Sequence, residues 1–575
     1  MSRCKGRFAA IPILVLVCLS AVARSERPTD AAGNKSEGAF YFLTRPYRPP
    51  QLALVKVSDR GIERVDLRAG RIELTERQAI LLAIESNLDV QIERLAPERS
   101  RWEVLGARSI LDTRLDVNAS RDRQRTPASS LLAGGDSITQ IVDLLEAGAT
   151  KLFSRGTEAS LKARIFRFET SSIFTSLNPA INTELTLSLV QPLLKNYGRS
   201  TTLWRVRQAE NNHAIAQADF EQAVENVVAG VRRTYWELAH DREEIAVREK
   251  AVELARVTLE NNRRQLENGV AARLDVIQAE AEVAARQERL IAARYRYRID
   301  QDQLKTQLTS SLAPEKIVGE IVPLEPLADV AAVVLPSGEE ALEQALRHRR
   351  DVRRQELEID NRRIQERYTA NQLRPQLDLL ASYTQFGLGG NRLIRDFSGG
   401  NIFTAPTIGI DPSGIGRSYR ELFGGDFLGW LAGVRLTVWL DNDRARADSA
   451  RAQLEVREQE MRGRALRQRI SLEVQTALNL LEMNRARLES ARESVRFLHQ
   501  RIDGEQAKFE NGLATTRDLI EAQRDLALGE SLALRARVDW IQSLIELQRA
   551  MGTILLSQHI EIGALKGERP DAVNR

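Results

Sequence analysis

The sequence predicts a mainly α-helical fold of long coiled-coil helices, joined to a smaller β part of the kind found in membrane barrels. Three observations indicate this fold. Two long stretches lack proline and carry an apolar heptad repeat, the chain is a tandem duplication, and each copy contains segments that alternate apolar and polar residues. Together they favour an elongated molecule over several compact domains, for which 575 residues would otherwise suffice.

The proline-free stretches are residues 193–313 and 413–569, although the chain has 17 prolines. Proline breaks helix interiors, so its absence favours long helices. Apolar residues recur every seventh position in both stretches, which is typical of helices packed as coiled coils. An unbroken helix from Arg199 to Leu266 would be about 100 Å long. The residues of the two seams are Val224, Val231, Leu238, Ile245, Val252, Leu259 and Leu266, and Val474, Leu481, Leu488, Val495, Ile502 and Phe509.

The two halves of the chain are copies of each other. An Asn-Gly turn at Asn268 and Gly269 recurs at Asn511 and Gly512, and each copy opens with a helix that has its own capping box. The leading helices are predicted at 75–109 and 337–371, and the shorter helices after the turns at 272–312 and 515–555. The predicted segments are a signal peptide (1–23), an irregular segment (24–72), the first repeat (73–312), a linker (313–336), the second repeat (337–555) and a tail (556–575).

The N-terminal segment has the pattern of a secretory signal, with three basic residues, an apolar run over 11–19 and the sequence Ala21-Val22-Ala23. Cys4 and Cys18 both lie within it, so the mature chain is expected to have no disulfide and no thiolate metal site. The formal net charge of +4 is too small to imply nucleic-acid binding. We therefore expect an exported protein.

Each copy contains two segments with one apolar and one polar face, as strands of a membrane β-barrel have. An antiparallel sheet packed on a soluble core remains the alternative. Four strands are fewer than the roughly eight of the smallest membrane barrels, so a barrel would require several chains. The apolar positions are Leu115, Val117 and Ala119; Leu185, Leu187 and Leu189; Leu377, Leu379 and Ala381; and Val434, Leu436 and Val438.

Two features depart from a simple duplication. Residues 123–182 are too long for a hairpin and contain a further alternation over 159–165, which predicts either extended strands or a cover over the outer mouth. Pro97 lies inside the first leading helix, where it predicts a kink or break.

The sequence resembles the TolC family of outer-membrane efflux proteins. The resemblance rests on residues 74–79 (Leu-Thr-Glu-Arg-Gln-Ala), residues 191–194 (Gln-Pro-Leu-Leu) and the Gly-x-Ala-x-x-x-Asp turns at 269–275 and 512–518. It implies a homotrimer with a 12-stranded outer-membrane barrel, four strands from each chain, continuous with a helical tunnel through the periplasm. It also implies two partners, a periplasmic adaptor (membrane fusion) protein and an inner-membrane transporter, and a function as the exit duct of a tripartite efflux or type I secretion system.

By the same resemblance, the tunnel would narrow at the tip turns, where Asp518 and Glu521 are the expected pore residues and Asp275 and Gln278 their first-copy counterparts. Ala514 stands where the family's founding member has a basic residue. Asp518 and Glu521 lie three positions apart, so both can face one side of a helix. In a trimer they would form a ring of up to six carboxylates that attracts cations. A capping box between Thr515 and Asp518 is the simpler alternative.

Two other classes of protein fit the sequence less well. A periplasmic coiled-coil adaptor or scaffold would have no need of two amphipathic hairpins. A secreted enzyme is unsupported, because the sequence contains no catalytic motif and no expected cofactor or metal site. Its five histidines are scattered without metal-ligand spacing.

Overall fold

A computed structural model of the chain describes residues 70–128, 136–172, 174–269, 272–309, 319–327, 335–396, 398, 405–511 and 513–560, with the single residues 47, 49 and 50. The expected signal peptide (1–23), nearly all of segment 24–72, Gly512 and residues 561–575 lie outside the described residues. None of the described helices has an apolar stretch long enough to span a lipid bilayer.

The first repeat has the predicted order of helix, strands, long helix and shorter helix. The capping box at Thr75 is present: its hydroxyl accepts a hydrogen bond from the Gln78 amide, and the Gln78 side chain accepts one from the Thr75 amide. The elements are β1 (Arg71–Leu74), α1 (Glu76–Ser86), α2 (Leu88–Arg108), β2 (Arg114–Pro127), β3 (Ser137–Leu152), β4 (Glu158–Thr170), β5 (Leu177–Pro192), α3 (Arg199–Thr202), α4 (Trp204–Glu267) and α5 (Arg273–Leu308).

The second repeat follows a short strand in the linker and has the same order. Its leading helix has the equivalent capping box between Ser337 and Glu340. The elements are β6 (Glu320–Pro323), α6 (Gly338–His348), α7 (Arg350–Gln372), β7 (Gln376–Arg395), β8 (Thr407–Pro412), α8 (Gly414–Gly424), β9 (Leu428–Thr437), α9 (Asp443–Glu510), α10 (Thr516–Ala550) and α11 (Ile554–Ser557).

The leading helices break at a position that the sequence analysis did not predict. The sequence predicted a kink or a break at Pro97. Helix α2 runs unbroken through this residue, so the predicted break is wrong. The break lies at Asn87, whose extended backbone (ψ 129°) ends α1 while its side chain caps α2 by accepting from two amides. Arg349, the equivalent residue 262 positions later, has nearly the same conformation (ψ 132°) and separates α6 from α7. The break is therefore a property of the repeat and not of the proline.

The coiled-coil seams are buried where the helices pack. Helix α4 has 64 residues and α9 has 68, which gives each a length of about 100 Å. Tyr235 of α4 is fully buried and donates a hydrogen bond to the Leu74 carbonyl of β1, and β1 in turn pairs in parallel with β6 of the linker. The buried seam residues include Val224, Val231, Leu238, Val252, Val474, Leu481, Leu488 and Ile502.

One antiparallel sheet extends from the ends of these helices. Its strand order is β2-β3-β4-β5-β7, and the far side of β7 pairs with both β8 and β9, at different positions along its length. The four predicted strands are β2, β5, β7 and β9. The sheet contains seven strands instead of four, because residues 137–170 form the additional hairpin β3–β4 and residues 407–412 form the short β8. The alternation noted over 159–165 lies in β4.

Helix α8 lies against one face of this sheet, where two glycines of β7 let its backbone approach closely. A Cβ atom at Gly387 would lie 2.0 Å from the Ser418 carbonyl oxygen, and one at Gly389 would lie 2.4 Å from that of Gly414. The buried Ser418 and Thr183 hydroxyls hydrogen-bond at 2.7 Å. Glycine at these two positions therefore allows α8 to pack against the sheet.

Candidate functional site at the helical tips and the sheet

The first tip turn joins α4 to α5. The Asn268 amide donates to the Arg264 carbonyl and ends α4, and Gly269 then adopts a left-handed conformation (φ 75°) that glycine tolerates without strain. At the start of α5 the Asp275 carboxylate accepts from the Ala272 amide at 3.0 Å. Asp275 is half-buried and Gln278 is exposed. Asp275 therefore has a structural contact within its own turn.

The second tip turn joins α9 to α10. Asn511 ends α9 through a hydrogen bond from its amide to the Ala507 carbonyl. The Asp518 carboxylate accepts from both the amide (3.0 Å) and the hydroxyl (2.7 Å) of Thr515, and these hydrogen bonds, the hydroxyl's first, hold the pKa of Asp518 below its usual value. The capping box expected as the simpler alternative is therefore formed. Asp518 and Glu521 are both exposed on the described chain.

The two tip turns are held together by a residue that the sequence analysis missed. Asn262 of α4 is fully buried, and its side-chain oxygen accepts a hydrogen bond from the Thr516 hydroxyl at 3.2 Å. Its side-chain nitrogen donates to the Asp275 carbonyl at 3.4 Å. One amide side chain thus connects α4, α5 and α10. A single polar residue on a long helix gives no sequence signal for such a role.

A buried ion-pair network lies next to this junction. Glu282 of α5 accepts from Arg286 on its own helix at 2.9 Å and from Arg524 of α10 at 2.8 Å. Burial opposes ionisation of Glu282, but the hydrogen bonds from the two arginines hold its pKa below the usual value. Arg286 also donates to the Ala251 carbonyl of α4 at 2.8 Å. The network therefore fixes the start of α10 against the hairpin of the first repeat.

The sheet at the other end of the helices has two chemically different faces. Helix α8 covers part of the face that carries the predicted apolar positions, and the rest of that face is exposed: Val117, Leu187 and Val434 are 58%, 44% and 64% exposed. On the opposite face, Arg164 forms ion pairs with Glu146 at 3.0 Å and Glu184 at 3.8 Å. A broad exposed apolar surface on a sheet with a polar reverse face fits one side in lipid and one in water.

Comparison with known proteins agrees with this geometry. The family described as "Outer membrane efflux protein" matches residues 79–309 and 341–553, so both repeats are covered. A comparison with curated protein sequences returned no match.

Solved structures share the fold at low sequence identity. The CmeC outer membrane channel of Campylobacter jejuni is 14% identical, with a TM-score of 0.56 over 83% of this chain and 86% of that chain. The outer membrane protein VceC of Vibrio cholerae is 13% identical, with a TM-score of 0.56 over 83% and 96%. The MtrE outer membrane channel of Neisseria gonorrhoeae is 18% identical, with a TM-score of 0.54 over 84% and 89%.

These findings confirm the predicted fold class, which combines long helices with a barrel-type sheet, and the outer-membrane location with the helices in the periplasm. A match to a family of channels also agrees with the expectation that the protein is not an enzyme. The chain belongs to the outer membrane efflux protein family.

Proposed function

We propose that this protein is the exit duct of a tripartite efflux or type I secretion system. In this proposal a homotrimer receives substrate from an inner-membrane transporter, through a periplasmic adaptor, and releases it outside the cell. One observation carries the proposal: a single chain joins a two-faced sheet with an exposed apolar face to helices of about 100 Å that lead away from it. Such a chain can connect a membrane to a site far across the periplasm.

The open sheet supports the assembly of several copies. The outer edges of β2 and β9 have no strand partner within the described part of the chain. In lipid each unpaired backbone group costs several kcal/mol, so an open sheet is unstable there and closure by further copies removes both edges. The periplasmic scaffold considered as an alternative would instead expose this apolar face to water.

The tips support an adaptor partner. Exposed apolar residues lie beside both turns: Leu274 and Ile277 follow the first turn, and Leu513, which is 79% exposed, lies in the second. Exposed apolar residues that lie close together on a protein surface are typical of contact sites for other proteins. We therefore place the adaptor contact at these turns.

The pore constriction is proposed at Asp518 and Glu521, with Asp275 and Gln278 in the equivalent turn. Three copies of the two exposed acids would form a ring of up to six carboxylates, which favours cations. The capping role of Asp518 is compatible with this, because its side chain remains exposed to solvent while it accepts from Thr515.

The constriction is tested by single-channel recording in planar bilayers. Asp518→Ala with Glu521→Ala should reduce cation selectivity, because the ring loses its charge. A matched control is Glu93→Ala with Glu103→Ala, which removes two exposed acids from α2, far from the tip. Equal selectivity of the tip variant, the control and the wild type would exclude the pore role.

The function itself is tested by fractionation and crosslinking in cells. The duct predicts a trimer in the outer-membrane fraction that crosslinks through its tip to an adaptor, and loss of the protein should reduce export by the associated transporter. Recovery of a monomer in the soluble periplasmic fraction would refute the duct and favour the adaptor or scaffold class.

A further inference from the structure

The inserted hairpin β3–β4 is a continuous part of the sheet. Directly paired residues form rows across all six long strands, and side chains of one row point to the same face. The row on the exposed face consists of Leu115, Ala149, Leu161, Leu187, Tyr383 and Trp430. The next row, on the opposite face, consists of Asp116, Gly148, Lys162, Thr186, Thr384 and Gly429.

The apolar residues of the first row therefore lie on the same face of the sheet in all six strands. This is significant because successive side chains of a strand point to opposite faces. A slip of one residue would turn every apolar side chain of the hairpin to the opposite face. Instead, Ala147 of β3 and Ala163 of β4 lie in line with Val117 of β2 and Leu185 of β5. The hairpin is therefore matched to the same two environments as the strands on either side of it.

The inserted strands are also long enough to cross a membrane. Strand β3 has 16 residues and β4 has 13, whereas a tilted membrane strand needs about 9–11. Arg164 on the polar face ties the hairpin to β5 through Glu184 as well as to β3 through Glu146. A short decoration at the outer mouth would need neither this length nor these contacts.

The direction of the edge strands permits closure between copies. Strand β2 runs away from α2 and β9 runs back toward α9, so β9 of one copy and β2 of the next would pair antiparallel. Strands β8 and β9 occupy the same side of β7, so the chain supplies six strand positions around a barrel. We propose that each copy contributes six strands, and that three copies close an 18-stranded barrel. This inference rests on the trimer of the proposed function.

The consequence is a wider outer conduit. With strands about 4.8 Å apart and tilted by about 40°, a 12-stranded barrel has a backbone diameter of about 24 Å, whereas 18 strands give about 36 Å. Three copies of the Arg164 ion-pair cluster would line its inner wall. A barrel of this width does not limit the size of the cargo. The helical tips then determine which cargo can pass.

Imaging of the purified full-length trimer by electron cryomicroscopy tests the proposal directly. The expected result is a barrel of 18 strands with a backbone diameter of about 36 Å. A trimer with 12 strands, and the β3–β4 hairpin outside the barrel wall, would overturn this inference and leave the proposed function intact. A monomer without a barrel would refute the proposed function together with the inference.

Disulfide crosslinking in membranes gives a second test that does not depend on purification. Both natural cysteines, Cys4 and Cys18, lie in the expected signal peptide, so engineered pairs have a clean background. Val117→Cys with Ala147→Cys, and Ala163→Cys with Leu185→Cys, should each crosslink on oxidation, because each pair is directly opposite.

The matched control pairs Val117→Cys with a cysteine on the same face of β5, at position 183, 185, 187 or 189. In the six-stranded arrangement β2 and β5 are three strands apart, about 14 Å, which is beyond disulfide reach. No crosslink is expected within a chain. An efficient β2–β5 crosslink, with none at the two hairpin pairs, would show that β2 and β5 are neighbours and would overturn the proposal.

Discussion

The buried ion pair at the tip allows a quantitative prediction. The side chains of Glu282 and Arg286 are only 9% and 4% exposed. Glu282→Leu removes the carboxylate and leaves Arg286 with two acceptors, the Ala251 carbonyl at 2.8 Å and the Gln523 side chain at 3.4 Å. Removing one member of a buried pair costs about 3–5 kcal/mol, because an uncompensated charge stays buried. We expect the local opening of the tip to become easier by that amount.

The assay is hydrogen exchange of the amides at the start of α5 and α10. Since about 1.4 kcal/mol corresponds to a tenfold change, Glu282→Leu should accelerate exchange there by at least about 100-fold. The double variant Glu282→Leu with Arg286→Met should recover most of the protection, because an apolar pair of similar volume replaces the ions. Arg524→Ala should have an effect of less than about tenfold, because that side chain is 54% exposed.

The reasoning would be refuted by either of two results. If the double variant exchanged as fast as Glu282→Leu alone, the cost would come from lost packing and not from the unpaired charge. If Arg524→Ala matched Glu282→Leu, the exposed contact would be the main restraint on the tip.

Three further predictions follow from single contacts. Burial raises the pKa of Glu225 to about 7, so the free energy of unfolding should fall as the pH rises from about 4.5 to 7. In denaturant titrations, Glu225→Gln should raise the free energy of unfolding by up to about 3 kcal/mol above pH 7 and leave it unchanged below pH 4.5. An equal gain at both pH values would contradict this. Thr515→Ala should destabilise the start of α10 by about 0.5–2 kcal/mol, because it removes the hydroxyl next to Asp518. This loss is measured as faster hydrogen exchange of the amides in the first turn of α10. Thr515→Ser should retain the protection, and equal exchange in both variants would argue against the cap. Gly387→Val should displace α8 and expose it to protease. Gly416→Ala should not, because a Cβ atom at Gly416 would meet no atom within 4 Å. Resistance of both variants to protease would contradict the close packing of α8 on the sheet.

The sequence alone predicted the elements whose signals are local. Capping residues such as Thr75 and Ser337 fix where helices start, because they satisfy amides within the same turn. The heptad seams predicted the buried faces of α4 and α9, because the apolar period follows directly from helix geometry. The internal repeat further constrained the fold, since each main element occurs in both copies.

Other features were missed because their signals are weak or distant in sequence. The break at Asn87 has no proline, whereas Pro97 lies inside α2 without ending it. A cap that forms at the end of one helix and the start of the next depends on how both pack. The hairpin β3–β4 was not predicted: residues 123–182 were expected to give extended strands or a cover over the outer mouth, because a single alternating segment does not specify its neighbours.

The sequence by itself determined the helices, the duplication and the four alternating segments, because each is encoded by residues within a few turns of one another. Only the tertiary structure decided that Asn262 joins both tips, that Glu282 meets Arg524, and that three more strands enter the sheet. Glu282 and Arg524 lie 242 positions apart. Such contacts depend on how whole helices and strands are placed, and no local pattern of residue types carries that information.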